Sequence, residues 1–267
     1  MKSRLLLFGC ISGGLVLTGG VLRPLESRLW VEASAASGVG RMESVVAAAG
    51  RGLTLGVLGG FRAIAADFAW VRMWMIWERR DLPAVETLTQ VVTTLDPRPL
   101  YFWANSARIL AYDMPNWRIG AAGGLAVVSE PEQQRIDAEQ ARLALRRLEA
   151  AEAFHGANPN LWIERANIEL TRLRDPAAAA ASYRRAWELP GAPYYAARLH
   201  AEMLKRVGRK PDALEWLVKL HPQLPLQDEA AAAGLVLARI RELERELGVP
   251  PERAYQAPTA RGAEGRG

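Results

Sequence analysis

The 267-residue chain has one cysteine, Cys10, and three histidines, His155, His200 and His221. A single thiol excludes an internal disulfide framework, and three histidines in unrelated sequence settings leave a structural zinc site without ligands. No metal or cofactor is therefore expected, and the histidines are read as surface or capping residues. The short signatures of common chemistries are also missing. There is no Gly-x-Ser-x-Gly turn, no Gly-x-x-x-x-Gly-Lys phosphate loop and no His-Glu-x-x-His. The glycines of "GGFRAIAAD" lack the rest of a dinucleotide fingerprint. Dense runs of one charge are absent as well. The 34 basic and 29 acidic side chains are interspersed, so the net charge of +5 forms no basic tract and nucleic acid is not an expected partner.

What the chain does have is apolar surface. Half of its residues are hydrophobic and nine are tryptophan, enough for a sizeable core. Residues 5–22, "LLLFGCISGGLVLTGGVL", form an uncharged run of 18 after Lys2 and Arg4. A bilayer crossing needs about 20 such residues. The first small-residue cleavage pattern, Ala33-Ser34-Ala35, lies beyond Arg23, Glu26, Arg28 and Glu32, so the run reads as a retained signal anchor embedded in lipid. Cys10 falls too early in the run for a lipoprotein site. The short basic start favours export of the downstream chain, which places the protein in the cytoplasmic membrane as a single-pass chain with its folded part extracytoplasmic. Residues 31–59 read as a Gly/Ala-rich membrane-proximal linker, and 250–267 as a disordered tail with little to bury.

The stretch 58–81, "LGGFRAIAADFAWVRMWMIWERRD", packs three tryptophans into eight residues and looks at first like a second span. Arg62, Asp67 and Arg72 are spaced by five, which rotates successive charges by about 140° on a helix. No single face hides all three, and each costs roughly 2.5 to 3.5 kcal/mol near a bilayer centre. The stretch reads as a mostly buried helix outside lipid. A hairpin dipping into the membrane together with "VVAAAGRGLTLGVLGG" is the alternative.

Further along, one pattern recurs. Asp96-Pro97 precedes Trp103, Ala107 and Leu110, and Asn158-Pro159 precedes Trp162, Ala166 and Leu170. Ala201, Leu204, Gly208, Ala213, Leu217 and Leu220 continue it. Ala166 to Ala201 is 35 residues and Ala179 to Ala213 is 34, a period that marks stacked helical hairpins. Between Met114 and Pro131 the pattern fails, and that segment reads as an inserted loop ordered by Trp117. Helix resumes from Glu132 to about Phe154. Residues 228–247 read as a terminal capping helix with its charged end in water.

These residues resemble the tetratricopeptide repeat. Ala201, the turn Gly208-Arg209-Lys210, Ala213 and Pro222 fit one unit, and Trp162, Ala166, Ala179, Tyr183 and Ala186 fit the preceding one. Two departures stand out: Asn167 occupies a place where a second small residue is common, and "RLRDP" replaces the usual glycine turn. "GGFRAIAADFAW" with "ERRD" and "DPRPLYFW" also resembles the opening of membrane-anchored bacterial repeat proteins. The resemblance implies an all-α solenoid of about three to four hairpins over residues 60–249, with a concave groove lined by the first helix of each hairpin. At groove positions it places Trp70, Trp74, Trp77, Tyr101, Arg108, Tyr112, Asn167, Arg198, Glu202 and Lys205. The bland alternative is that the tryptophans are hairpin core and the polar residues a solvated face. Some repeat domains clamp a partner's terminal carboxylate, and at those positions this chain has Ala104, Arg108, Ile163, Asn167 and Arg198, which is too partial a match to expect the clamp. The expected function is non-catalytic: a membrane-anchored scaffold or assembly factor that holds a segment of another protein, preferably acidic, in its groove. The alternatives are a structural subunit acting through its membrane-proximal segment, and an enzyme or enzyme subunit shaped by residues 114–131.

Overall fold

The computed structural model describes residues 62–258, and among them every regular element is helical. The expected anchor at 5–22, the linker at 31–59 and the last residues of the tail lie outside the described residues. Among the described residues, no helix is long and apolar enough to cross a membrane. The stretch read as one repeat domain divides into two compact units, with the boundary between His155 and Gly156.

The first unit begins with α1 (Arg62–Trp77) and α2 (Leu82–Leu95), which pack along one another. The start of α2 is fixed by Asp81, whose side chain accepts the Ala84 N–H at 3.2 Å, and by Pro83 in the first turn, where no intrahelical donor is needed. Next come α3 (Leu100–Arg108), a π-helical turn (Ile109–Asp113), α4 (Met114–Ala121) and α5 (Glu130–His155), with the first three packed against α5. The loop expected over 114–131 is therefore helical in its first eight residues. The Met114 N–H reaches back five residues to the Ile109 carbonyl, and Pro115 falls in the first turn of α4, so the backbone carries on through a proline that would break an uninterrupted α-helix. The irregular part is shorter, with Gly123 and Gly124 at φ 105° and 89°.

The second unit is α6 (Pro159–Thr171), α7 (Pro176–Trp187), α8 (Tyr194–Arg206), α9 (Lys210–Leu220) and α10 (Ala233–Glu246), each packed on the next. Short connections between helices that pack along their lengths make α6–α7 and α8–α9 antiparallel hairpins. The starts at Pro159 and Tyr194, and at Pro176 and Lys210, reproduce the offsets of 35 and 34. The contacts rest on small residues: Ala166, Ala179, Ala186, Ala196, Ala197 and Ala213 are all fully buried. A methyl in place of a longer chain lets helix backbones approach closely.

A common turn closes three hairpins. Arg80, Arg174 and Gly208 take left-handed φ values of 56°, 54° and 81°, and each directly precedes the N-cap of the following helix. Arg174 lies 34 residues before Gly208, so the apparent departure at "RLRDP" keeps the glycine geometry with an arginine in it. Past α10 the tail is not wholly free. Tyr255 donates from its backbone N–H to Glu244, and its ring meets His221 edge-on at 5.5 Å.

Candidate functional site

The ten residues placed at groove positions fall into two sets, one in each unit. In the first unit, aromatic rings form a continuous chain. Trp70 meets Trp74 at 6.1 Å, Tyr101 at 5.6 Å and Phe102 at 5.4 Å, while Trp77 meets Trp74 at 5.2 Å and Trp117 at 5.6 Å. Trp70 is only 6% exposed and belongs to the core, as the bland reading of the tryptophans had it. Trp77 is half-buried, and its indole N–H donates to Asp113 Oδ2 at 2.9 Å. That aspartate is delivered by the π turn. Trp74 and Tyr101, at 40% and 55% exposure, are the members that face solvent. Arg108 is exposed on the last turn of α3 and Tyr112 is half-buried in the π turn.

In the second unit three of the four residues come together. Arg198, Glu202 and Lys205, one face of α8, line a cleft of about 540 Å³ whose opposite wall is α10. Leu199, Leu217, Val236 and Leu243 supply apolar surface, and Leu235 stands 53% exposed at the opening. Asn167 does not join them. Its Oδ1 accepts the Tyr183 hydroxyl at 2.7 Å, which ties α6 to α7.

The polar groups of the cleft are already engaged. Lys205 Nζ lies 2.6 Å from Glu242 and 3.3 Å from Glu246, and the hydrogen bond to Glu242 holds its ammonium above the usual lysine range. Glu242 in turn is held down to about 2 by hydrogen bonds from Lys205 and Arg239. Arg198 donates to the carbonyls of Ala230 and Ala231 at 3.1 and 2.8 Å. Four cations (Arg198, Lys205, Arg206, Arg239) and two anions (Glu202, Glu242) line the cleft, so its wall remains net positive. Arg239 and Glu242 were missed from sequence because α10 was read as a cap with no groove face. Their spacing of three on a helix that comes after a repeat was the available signal.

Surface or capping roles were expected of the histidines; two of them, His200 and His221, are buried, and His221 is the C-cap of α9. His200 Nδ1 lies 2.8 Å from the Ala180 carbonyl and its ring meets Trp216 at 4.4 Å. Burial pushes its pKa down, opposed by that backbone bond. His221 is pushed down by burial as well, and His155 Nε2 lies 3.0 Å from the Pro97 carbonyl. Among the described residues, no group of three His, Cys, Asp or Glu side chains is placed to hold a metal ion. The cleft is thus equipped to enclose apolar side chains within an ion-paired rim. Comparisons with protein-family models, with curated proteins and with solved structures find no match.

Proposed function

We propose that the chain is a non-catalytic, tetratricopeptide-like scaffold whose cleft between α8 and α10 holds a segment of another protein. In this reading residues 5–22 tether it to the cytoplasmic membrane, with the helical units extracytoplasmic. The observation that carries the proposal is the convergence of Arg198, Glu202 and Lys205 on one open cleft with an apolar lining. The offsets of 35 and 34 between successive hairpins, and the left-handed residue before the N-cap of each hairpin's second helix, support the repeat assignment. The net positive wall favours an acidic segment, steering encounter more than adding affinity, because Lys205 and Arg198 are already partnered. Affinity would come from apolar burial against Leu235 and its neighbours.

The test is quantitative co-purification of the full-length protein from membranes, comparing the wild type with Leu235→Asp and Arg239→Glu. Both side chains are exposed, so helical content should not change. The proposal expects one stoichiometric partner that both variants lose. A partner retained by both, or substrate turnover by the purified chain alone, would sink it.

A further inference from the structure

The outer face of α1 is not covered by either reading of its tryptophans. Ile64, Phe68, Val71 and Met75 are 51%, 71%, 59% and 55% exposed. At 100° per residue these four positions fall within roughly 60° of one another, opposite the buried Met73. A helix that is apolar on its inner and outer faces alike is matched to an apolar medium on both. Arg72 and Asp67 flank the ridge on its two sides, and Trp74 stands beside it, partly exposed.

We infer that this ridge lies in the interface of a lipid bilayer. Three observations select lipid over a protein. First, the ridge is convex and small: a stripe about 18 Å long and one helix of about 10 Å wide presents on the order of 180 Å². A stable protein pair needs roughly 800 Å² on each partner. Second, the border fits a membrane interface, with charged groups at the sides able to reach the headgroups and an indole at the edge, where tryptophan is enriched. Third, the ridge is close in sequence to the expected tether. Only residues 23–61 separate Arg62 from the apolar run at 5–22. A face too weak to bind membranes from solution binds once a tether holds it at high local concentration. Exposed Arg72, Arg79 and Arg80 are balanced by exposed Asp67, Glu78 and Asp81, so contact is driven by apolar insertion and depends little on lipid charge. The inference shares the tether with the proposed function and is independent of the cleft.

The test uses the full chain in phosphatidylcholine nanodiscs, with Cys10→Ser and single spin labels on Phe68→Cys, Val71→Cys, Leu15→Cys and, on other faces of the same unit, Gln90→Cys and Glu149→Cys. Accessibility to oxygen, which partitions into lipid, is compared with that to a water-soluble nickel chelate. Residues 68 and 71 are expected to favour oxygen, and residues 90 and 149 nickel. Replacing phosphatidylcholine by phosphatidylglycerol should leave the pattern unchanged. A lipid-exposed label at 15 with water-exposed labels at 68 and 71 would overturn the inference while leaving the tether intact. Labels at 68 and 71 closed to both reagents would overturn it in favour of a protein partner. In a Phe68→Glu, Val71→Glu variant labelled through Met75→Cys, nickel accessibility should rise without loss of helix; no rise would also count against lipid.

Discussion

The two units are cohesive by different means. The first is held by rings: Trp70, Trp74, Trp77, Tyr101, Phe102 and Trp117 touch in series, and Trp103 stacks on Phe154 at 6.0 Å. The second is held by fully buried alanines at helix contacts and by ion pairs along α8 and α10. Large rings fill irregular gaps and tolerate an irregular backbone, here a π turn and a 26-residue helix. Methyl groups fix interhelical distance and so enforce one repeating geometry. The regular unit carries the cleft, and the irregular one carries the exposed apolar ridge.

Removing a ring should test the contrast most severely. Trp103 is 6% exposed and its indole donates to the Pro97 carbonyl at 2.8 Å, so Trp103→Ala should cost about 3 to 5 kcal/mol in urea unfolding of the first unit. A cost below about 1 kcal/mol would show that the rings are not what holds that unit. The converse change in the second unit is Ala197→Leu, where added volume has nowhere to go. We expect a loss of about 1 to 3 kcal/mol there. A neutral result would mean the alanines do not set the spacing.

Titration sharpens the comparison next. His200 and His221, both in the second unit, have folded pKa values below the ordinary 6.5. The unfolded chain therefore binds protons first, and stability falls as pH drops from about 7.5 through 6.5 and below. Chemical denaturation at pH 7.5 and pH 5.5 should show this loss, and His221→Gln should reduce it. Equal stability at the two values would remove both histidines from the account. The smallest effect expected is a gain. Arg174 holds a left-handed conformation that costs a non-glycine residue roughly 1 kcal/mol, so Arg174→Gly should stabilise by up to about 1 kcal/mol, while Gly208→Ala should destabilise by a similar amount. Opposite signs in thermal melts would show that the shared turn is not what closes these hairpins.

The same contrast explains what could be read in advance. The helices around Ala166, Ala179, Ala201 and Ala213 were legible because a required small residue leaves a fixed period in the sequence. The bounds of α2, between the cap Asp81 and the stop at Asp96-Pro97, rest on local chemistry of the same legible kind. The π turn was not legible, since one extra residue in a helical turn changes no composition and Pro115 mimics a break. Trp70 and Trp74 share a helical stripe, yet the core and solvent positions separate only once α3 supplies Tyr101 and Phe102. On α8, Arg198, Glu202 and Lys205 were named from the repeat register and line one cleft, whereas Arg239 and Glu242 needed a partner helix to define it.

The most direct test of the central proposal is photocrosslinking in intact cells from a benzophenone side chain at residue 202, inside the cleft, against one at residue 215, exposed on α9. The account predicts a single discrete adduct from residue 202, none from residue 215, and loss of the adduct when Leu235→Asp is added. No adduct at 202, or the same adducts from both positions, would contradict a partner segment bound between α8 and α10.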